Sequence, residues 1–302
     1  MSLFEIAIIC ALCEGYDAVK AILDEVYDGD IHRKGQNDPK NYTLGKISAL
    51  NVVLSLLPRM GKKHAASGSA YFRTSFPDIK LCFLVGICAE APRNKRNEEL
   101  LLGDVIVSTE LVQSDFGRQW KDGISRKDTI GDNLGRPNKE IRVFLAELQT
   151  WETGKKLRAD AVASFVKMLQ IRDVWQNPGR EHDIMFDPDY EHKHQVEGEC
   201  HVCSPDETCD LARGASCKDV KCDTVKILVR GSDREDEHLL IHFGAFSSAD
   251  QVIKSSKHRN AVTAADGAIA FEMQGAGVWD NFPTIIVKCV CDYADSHKNK
   301  KF

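Results

Sequence analysis

No stretch of this chain approaches the roughly 20 apolar residues that a membrane-crossing helix needs. No charge of one sign dominates either. Forty Lys and Arg against 45 Asp and Glu leave a net charge of −5 on 302 residues. That field is too weak to argue for non-specific binding to nucleic acid or membrane, so neither is expected as a partner. The basic runs Arg93-Asn94-Lys95-Arg96 and Lys298 to Lys301 are local and read as solvated loop. There is no internal repeat and no low-complexity tract. The N-terminus lacks the basic region and small-residue cleavage site of a secretory signal, and Glu5 precedes its apolar run. A first buried strand is the better reading, and a cytoplasmic location is expected.

What is present is ordinary globular composition: 43% hydrophobic and 28% charged residues, at a length that can bury a full core. Eleven cysteines are the exception. Cys10, Cys13, Cys82, Cys88, Cys289 and Cys291 lie in or beside strand-like apolar runs, where a free thiol behaves as a small hydrophobe. That favours a reducing compartment.

Strand-like and helix-like segments alternate, which predicts an α/β fold with one central sheet. Strands are expected at Ile6–Leu12, Thr43–Ile47, Val52–Leu57, Ile79–Val85, Asp104–Ser108, Val225–Val229, Leu239–Phe243 and Ile285–Cys291. Helices are expected at Tyr16–Val26, Lys63–Phe72, Glu140–Gln149 and Asp160–Gln170, with another leading on from Ser247–Ser256. Ser114–Asn138 reads as loop, and Gly86 should open the loop after its strand. From Trp175 to about residue 222, Pro, His, Asp and Cys rise and apolar periodicity vanishes, as in an insertion.

The last thirty-two residues are the most informative. Phe271-Glu272-Met273-Gln274 reads as the start of a small-residue helix. A mostly apolar run, IIVKCVC, then delivers Asp292 at its C-terminal end. A buried strand presenting an acid at its C-terminal end is how open α/β sheets commonly display a catalytic group. Six further blocks precede it: IAIICAL at 6–12, NVVLSLLPRMGKKHAA at 51–66, SFPDIKLCFLVGIC at 75–88, LLGDVIVS at 101–108, DFGRQW at 115–120 and RKDTIGDNLGRPN at 126–138. In this order the blocks resemble the nucleoside phosphorylase/nucleosidase superfamily. The resemblance is strongest to its fungal branch, found as N-terminal domains of ankyrin, tetratricopeptide or NACHT-type receptor proteins.

The resemblance implies a single domain over residues 1–302. It would be a three-layer α/β/α fold with a central mixed sheet, carrying an irregular Cys/His-rich insertion at about 175–222. It implies that Asp292 protonates the purine as the N-glycosidic bond breaks. Met273 would pack on the ribose with Met60 nearby, and Gln274 would stand where the family has a Glu for the 2′ and 3′ hydroxyls. Cys88, Ala89, Phe271, Val252 and Ile253 would surround the base. The family's water-activating Glu corresponds to Gly15. Glu14, one residue early, either substitutes for it or is a helix-N-terminal Glu favoured by the dipole. Gln274 weakens the diol contact, because an amide accepts at one end only. Leu84 and Ile87 stand where phosphorylases bind phosphate, so hydrolysis is expected over phosphorolysis.

The implied activity is therefore a purine nucleosidase acting on adenine-type nucleosides or nucleotides. ATP is one candidate, as in defence effectors, with Arg59, Lys62, Lys63, Arg118, Lys121 and Arg126 as candidate phosphate contacts. Two alternatives stay open: a non-catalytic nucleoside-binding or assembly domain, and a phosphate-dependent phosphorylase. No cofactor is expected for catalysis.

In the insertion, Cys200-x-x-Cys203 is followed by Cys209, Cys217 and Cys222, with His192, His194 and His201 nearby. This is a fair spacing for one structural zinc held by four of the thiolates, with disulfides or free thiols as alternatives. The chain ends at Phe302, short of the long helix that follows the Asp loop in the family. An excised or truncated domain is the expectation, with a partner or a homo-oligomeric (dimer) interface covering the sheet.

Overall fold

A computed structural model describes residues 4–28, 35, 37–121, 123–129, 131–170, 178–196, 198–204, 207–231 and 240–297. The basic run at 298–301, Leu239 and positions 175–177, 197 and 205–206 of the expected insertion lie outside the described residues.

The fold starts with β1 (Ile6–Cys10), α1 (Cys13–Ala21), β2 (Glu25–Val26), β3 (Tyr42–Ile47) and β4 (Leu50–Leu56). Next come α2 (Lys62–Ser75), β5 (Leu81–Glu90), β6 (Val105–Gln113) and the hairpin β7 (Gly117–Trp120) with β8 (Gly123–Arg126). Then α3 (Lys139–Leu148) and α4 (Trp151–Leu169) lead into the Cys/His-rich segment expected to be an insertion, whose only α-helix among the described residues is α5 (Asp210–Gly214). The chain returns through β9 (Ile241–Ser248), α6 (Ser256–Asp266), β10 (Ala268–Glu272), α7 (Gly275–Val278) and β11 (Thr284–Asp292).

Nine strands form one mixed sheet in the order β10-β9-β6-β11-β5-β1-β4-β3-β2. The central strands read as continuous apolar runs because both of their faces are covered. Along β1, Ile8 and Cys10 pack with Val19 of α1, while Ala7 and Ile9 face the cluster built on Phe72 and Ala65 of α2. Helix α3 places Ile141 and Leu145 on Val107 and Ile285. Phe83 joins both the α1 and the α3 clusters, so those helices share one face. Helices α2 and α7 cover the other. This is the expected α/β/α layering with a mixed sheet.

The sheet also curls. β10 pairs in parallel with β9 and antiparallel with the end of β5, closing a ring of β5, β11, β6, β9 and β10. The extra pairing explains why β5 runs on through Glu90 instead of turning into a loop at Gly86. Ala89 and Glu90 find backbone partners on β10, which are non-local in sequence.

Other departures have similar causes. The stretch 114–138 contains the β7–β8 hairpin. Residues 225–229 form no strand: a 3₁₀ turn at Thr224–Lys226 leads to a single bridge, Phe186 to Ile227. Phe271 and Glu272 end a strand, and the helix after them is the four-residue α7. Helix α1 begins at Cys13, before the expected Tyr16.

Candidate functional site

The ring closure builds the site. On β11 the register against β5 shifts between Val290 and Asp292, which sets Asp292 beside Ala89. Ala89 in turn pairs with Phe271 of β10. A bulge of this kind bends a strand and re-aims the side chain that follows it. Three residues distant in sequence thus lie in one row across the strand ends. Asp292 is 9% exposed. Its Oδ1 accepts the Ala294 N–H at 2.9 Å, and the Cys291 thiol lies 3.7 Å from Oδ2.

Asp292, Ala89 and Phe271 open into a cleft that Cys88, Met60, Val252, Ile253, Met273 and Gln274 also line. Every residue expected at the ribose and base lines this one cleft, together with Asp292. Burial, reinforced by Cys291 and Glu90, pushes the Cys88 thiol well above its ordinary value, so it contributes neutral apolar surface.

One polar knot holds the rim. Lys62 Nζ meets Asp115 Oδ1 at 2.5 Å. Asp115 Oδ2 accepts the Asp250 N–H at 2.9 Å, and Asp250 Oδ1 accepts the Lys62 N–H at 2.7 Å. The knot joins the start of α2, the segment after β6 and the segment after β9, which carries Val252 and Ile253. Gly61 enters α2 at φ 107°, where a Cβ would come within 3.1 Å of Asp250.

The cleft lining also includes a buried charge cluster built on Lys288, which sequence reasoning passed over. Lys288, 2% exposed, donates from Nζ to Gln274 Oε1 at 3.0 Å and lies 3.9 Å from Glu272 Oε2. The Glu272 carboxylate accepts the N–H groups of Gln274 and Gly275 at 2.8 Å each. An ammonium can only donate, so the amide oxygen of Gln274 must face Lys288. The amide nitrogen has no hydrogen-bond partner among the described residues and can donate to a ligand. The signal was present in IIVKCVC: a lone Lys in a buried strand is rare unless paired.

Gly15, where the resemblance leads one to expect a water-activating Glu, offers no side chain. A Cβ on Gly15 would lie 3.5 Å from Gly86 Cα, and one on Gly86 would lie 3.3 Å from Lys288 Nζ. Glu14 is exposed in the first turn of α1 and is not among the residues lining the cleft.

The five cysteines of the insertion do not form one four-thiolate group. Cys200, Cys203 and Cys209 gather with His194, while Cys217 and Cys222 gather with His192. In each group the potential ligand atoms lie within 4.8 Å of one another. His201 is exposed and joins neither.

A larger cleft lies elsewhere. It encloses about 450 Å³ between the α3–α4 junction and β9, lined by Lys95, Glu110, Trp151 and His242 among others. Asp292 does not reach it, so the smaller cleft is the candidate site.

No protein-family profile matches the chain. Solved structures of the same architecture do. The 5′-methylthioadenosine/S-adenosylhomocysteine nucleosidase of Helicobacter pylori matches with TM-score 0.56 and 12% identity, over 100% of this chain and 90% of that one. The same type of nucleosidase from Streptococcus pneumoniae matches at 0.54 and 16%, over 99% and 90%. The futalosine hydrolase of Helicobacter pylori matches at 0.57 and 12%, over 99% and 89%. The chain has the nucleoside phosphorylase/nucleosidase fold. In sequence it is 28% identical over 306 aligned positions to a nucleotide-binding leucine-rich repeat (NLR)-like protein of Hyaloscypha variabilis. That alignment spans 99% of this chain but 27% of the relative.

Proposed function

We propose that this chain is a nucleosidase that breaks the bond between a purine base and ribose, with water as the acceptor. The observation that carries the reading is the Asp292 carboxylate, aimed by the β11 bulge into a cleft walled by Phe271 and Ala89. As the C1′–N bond breaks, its electron pair goes to the departing base. A proton from Asp292 to a ring nitrogen of the base lowers that barrier, commonly by 10²–10⁴-fold. Water adds to C1′ and releases a proton, and a proton then returns to Asp292.

Met273 and Met60 contribute the apolar wall for the sugar, and Gln274 meets its hydroxyls. Hydrolysis is favoured over phosphorolysis because Leu84 is buried core and Ile87 is an exposed apolar side chain. Neither supplies the paired cations that a phosphate dianion needs. An uncharged nucleoside is the proposed substrate rather than ATP. Two of the candidate phosphate contacts are already paired, Lys62 with Asp115 and Arg126 with Asp266 at 2.7 Å. The names of the structural neighbours, nucleosidases of adenine nucleosides, support an adenine-type base.

A second reading is a module that binds nucleosides without cleaving them. It is favoured by the absence of a carboxylate at Gly15 and by the amide at Gln274. Incubation with adenosine, 5′-methylthioadenosine, inosine and ATP, with and without phosphate, separates the two. Free base without phosphate supports the nucleosidase. Calorimetric binding with no base released would replace it with the binding module.

A further inference from the structure

The two Cys/His groups of the insertion have the dimensions of metal sites. In a tetrahedral zinc site, with Zn–S roughly 2.3 Å and Zn–N roughly 2.0–2.1 Å, an N···S edge spans about 3.6 Å. His194 Nδ1 lies 3.6 Å from Cys203 Sγ and 3.6 Å from Cys209 Sγ. His192 Nδ1 lies 3.6 Å from Cys217 Sγ and 3.5 Å from Cys222 Sγ. Thiol hydrogen bonds do not explain this pattern, because one imidazole lone pair accepts one donor and each Nδ1 faces two sulfurs.

The surroundings agree. His192 Nε2 lies 3.0 Å from the Ala212 carbonyl oxygen and 3.1 Å from that of Ala215. Carbonyls only accept, so Nε2 carries the proton and Nδ1 presents its lone pair to the sulfurs. A metal-binding imidazole is commonly oriented in this way. The N–H groups of Cys203, Cys209 and Ala212 donate to the sulfurs of Cys200, Cys203 and Cys209 at 3.3–3.5 Å, as suits thiolate acceptors. Burial gives this segment little else. Its small core is Cys209, Ala212 and Val220, packed against Cys200, Cys203, Ala215 and Cys222.

We propose that the insertion binds two ions of the zinc class: one on His194, Cys200, Cys203 and Cys209, the other on His192, Cys217 and Cys222 with His297 as fourth ligand. His297 is buried and its Nε2 has no hydrogen-bond partner. Its ring stands edge-on to His192 with centroids 5.4 Å apart, close to the roughly 5 Å expected of two imidazoles on one tetrahedral ion. Its nitrogens do not lie within 4.8 Å of all three other ligand atoms, so the ring closes in as the ion binds. Phe186 and Tyr190 stack against it from the insertion side, and the His192 N–H donates to Ser296 Oγ at 3.1 Å. The second ion would therefore clamp the insertion to the segment that follows Asp292. The proposal does not depend on the nucleosidase reading.

The test is a metal titration of the full chain. Protein stripped by chelator under reducing conditions is titrated with Co²⁺, following thiolate-to-metal charge-transfer absorption. Two equivalents should bind in tetrahedral sites, falling to one in Cys203→Ser and to one in Cys217→Ser. His297→Ala should weaken the second site alone, by at least about tenfold. Zero or one equivalent in the unaltered chain overturns the two-site proposal, and an unchanged second affinity in His297→Ala removes that ligand. Should the serine variants fail to fold, thiol reactivity decides. The five insertion cysteines of the zinc-loaded chain should resist a thiol reagent until chelator is added, and ready reaction before chelation overturns the proposal.

Discussion

At the scale of single residues, the roles proposed for Asp292 and Gln274 can be tested separately. Asp292→Asn preserves the size of the side chain and the acceptor for the Ala294 N–H. It removes the transferable proton. The fold and nucleoside affinity should persist while base release falls by at least about a hundredfold. Single-turnover assays beside binding calorimetry make the comparison, and an undiminished rate would remove Asp292 from the mechanism. Gln274→Glu places a carboxylate against Lys288, already in contact with the amide oxygen. The new anion is compensated by a buried ammonium and can accept from both ribose hydroxyls. A charge-assisted bond of about 1.5–3 kcal/mol should raise kcat/KM by roughly ten- to a hundredfold. No gain would mean that the diol lies elsewhere.

At the scale of elements, the site depends on three segments held by the Lys62–Asp115–Asp250 knot. Burial pushes the Asp115 carboxyl up, but the hydrogen bonds from Lys62 and the Asp250 N–H outweigh it, and the net shift is downward. A carboxyl held low in the folded state adds stability above its unfolded value, near 3.9. That stability is lost as pH falls through the depressed folded value. Asp115→Asn should therefore lower the urea midpoint near neutral pH and narrow the gap to the unaltered protein below about pH 4. A gap that stays constant across that range would show that the carboxylate charge does not tie the knot.

At the scale of the whole molecule, the ring of β5, β11, β6, β9 and β10 makes a cleft with an acid at one side and apolar walls. Leu84 and Ile87 offer no cation to a phosphate dianion, so on the proposed reading base release should be independent of phosphate, and the sugar product should be free ribose. Chromatography of the sugar product checks this, and ribose 1-phosphate would overturn the hydrolytic assignment. No helix among the described residues is long and apolar enough to cross a membrane.

Local sequence determined the strand cores, because burial on both faces of β1, β5 and β11 favours mostly apolar runs whatever their neighbours. It also determined the candidate acid, since Asp292 ends such a run, and the cleft residues that follow from the ordered blocks. The tertiary structure alone decided what depends on pairing between distant segments. β5 extends to Glu90 only because β10 comes back beside it, and Asp292 meets Ala89 only through the bulge in β11. The place of Lys288 was equally hidden, because a strand's alternation does not say which carboxylate or amide will stand opposite a buried cation. The insertion shows the same limit. Spacing brought five cysteines to attention, but only the folded chain divides them between His194 and His192, because side chains meet by position in space rather than along the sequence.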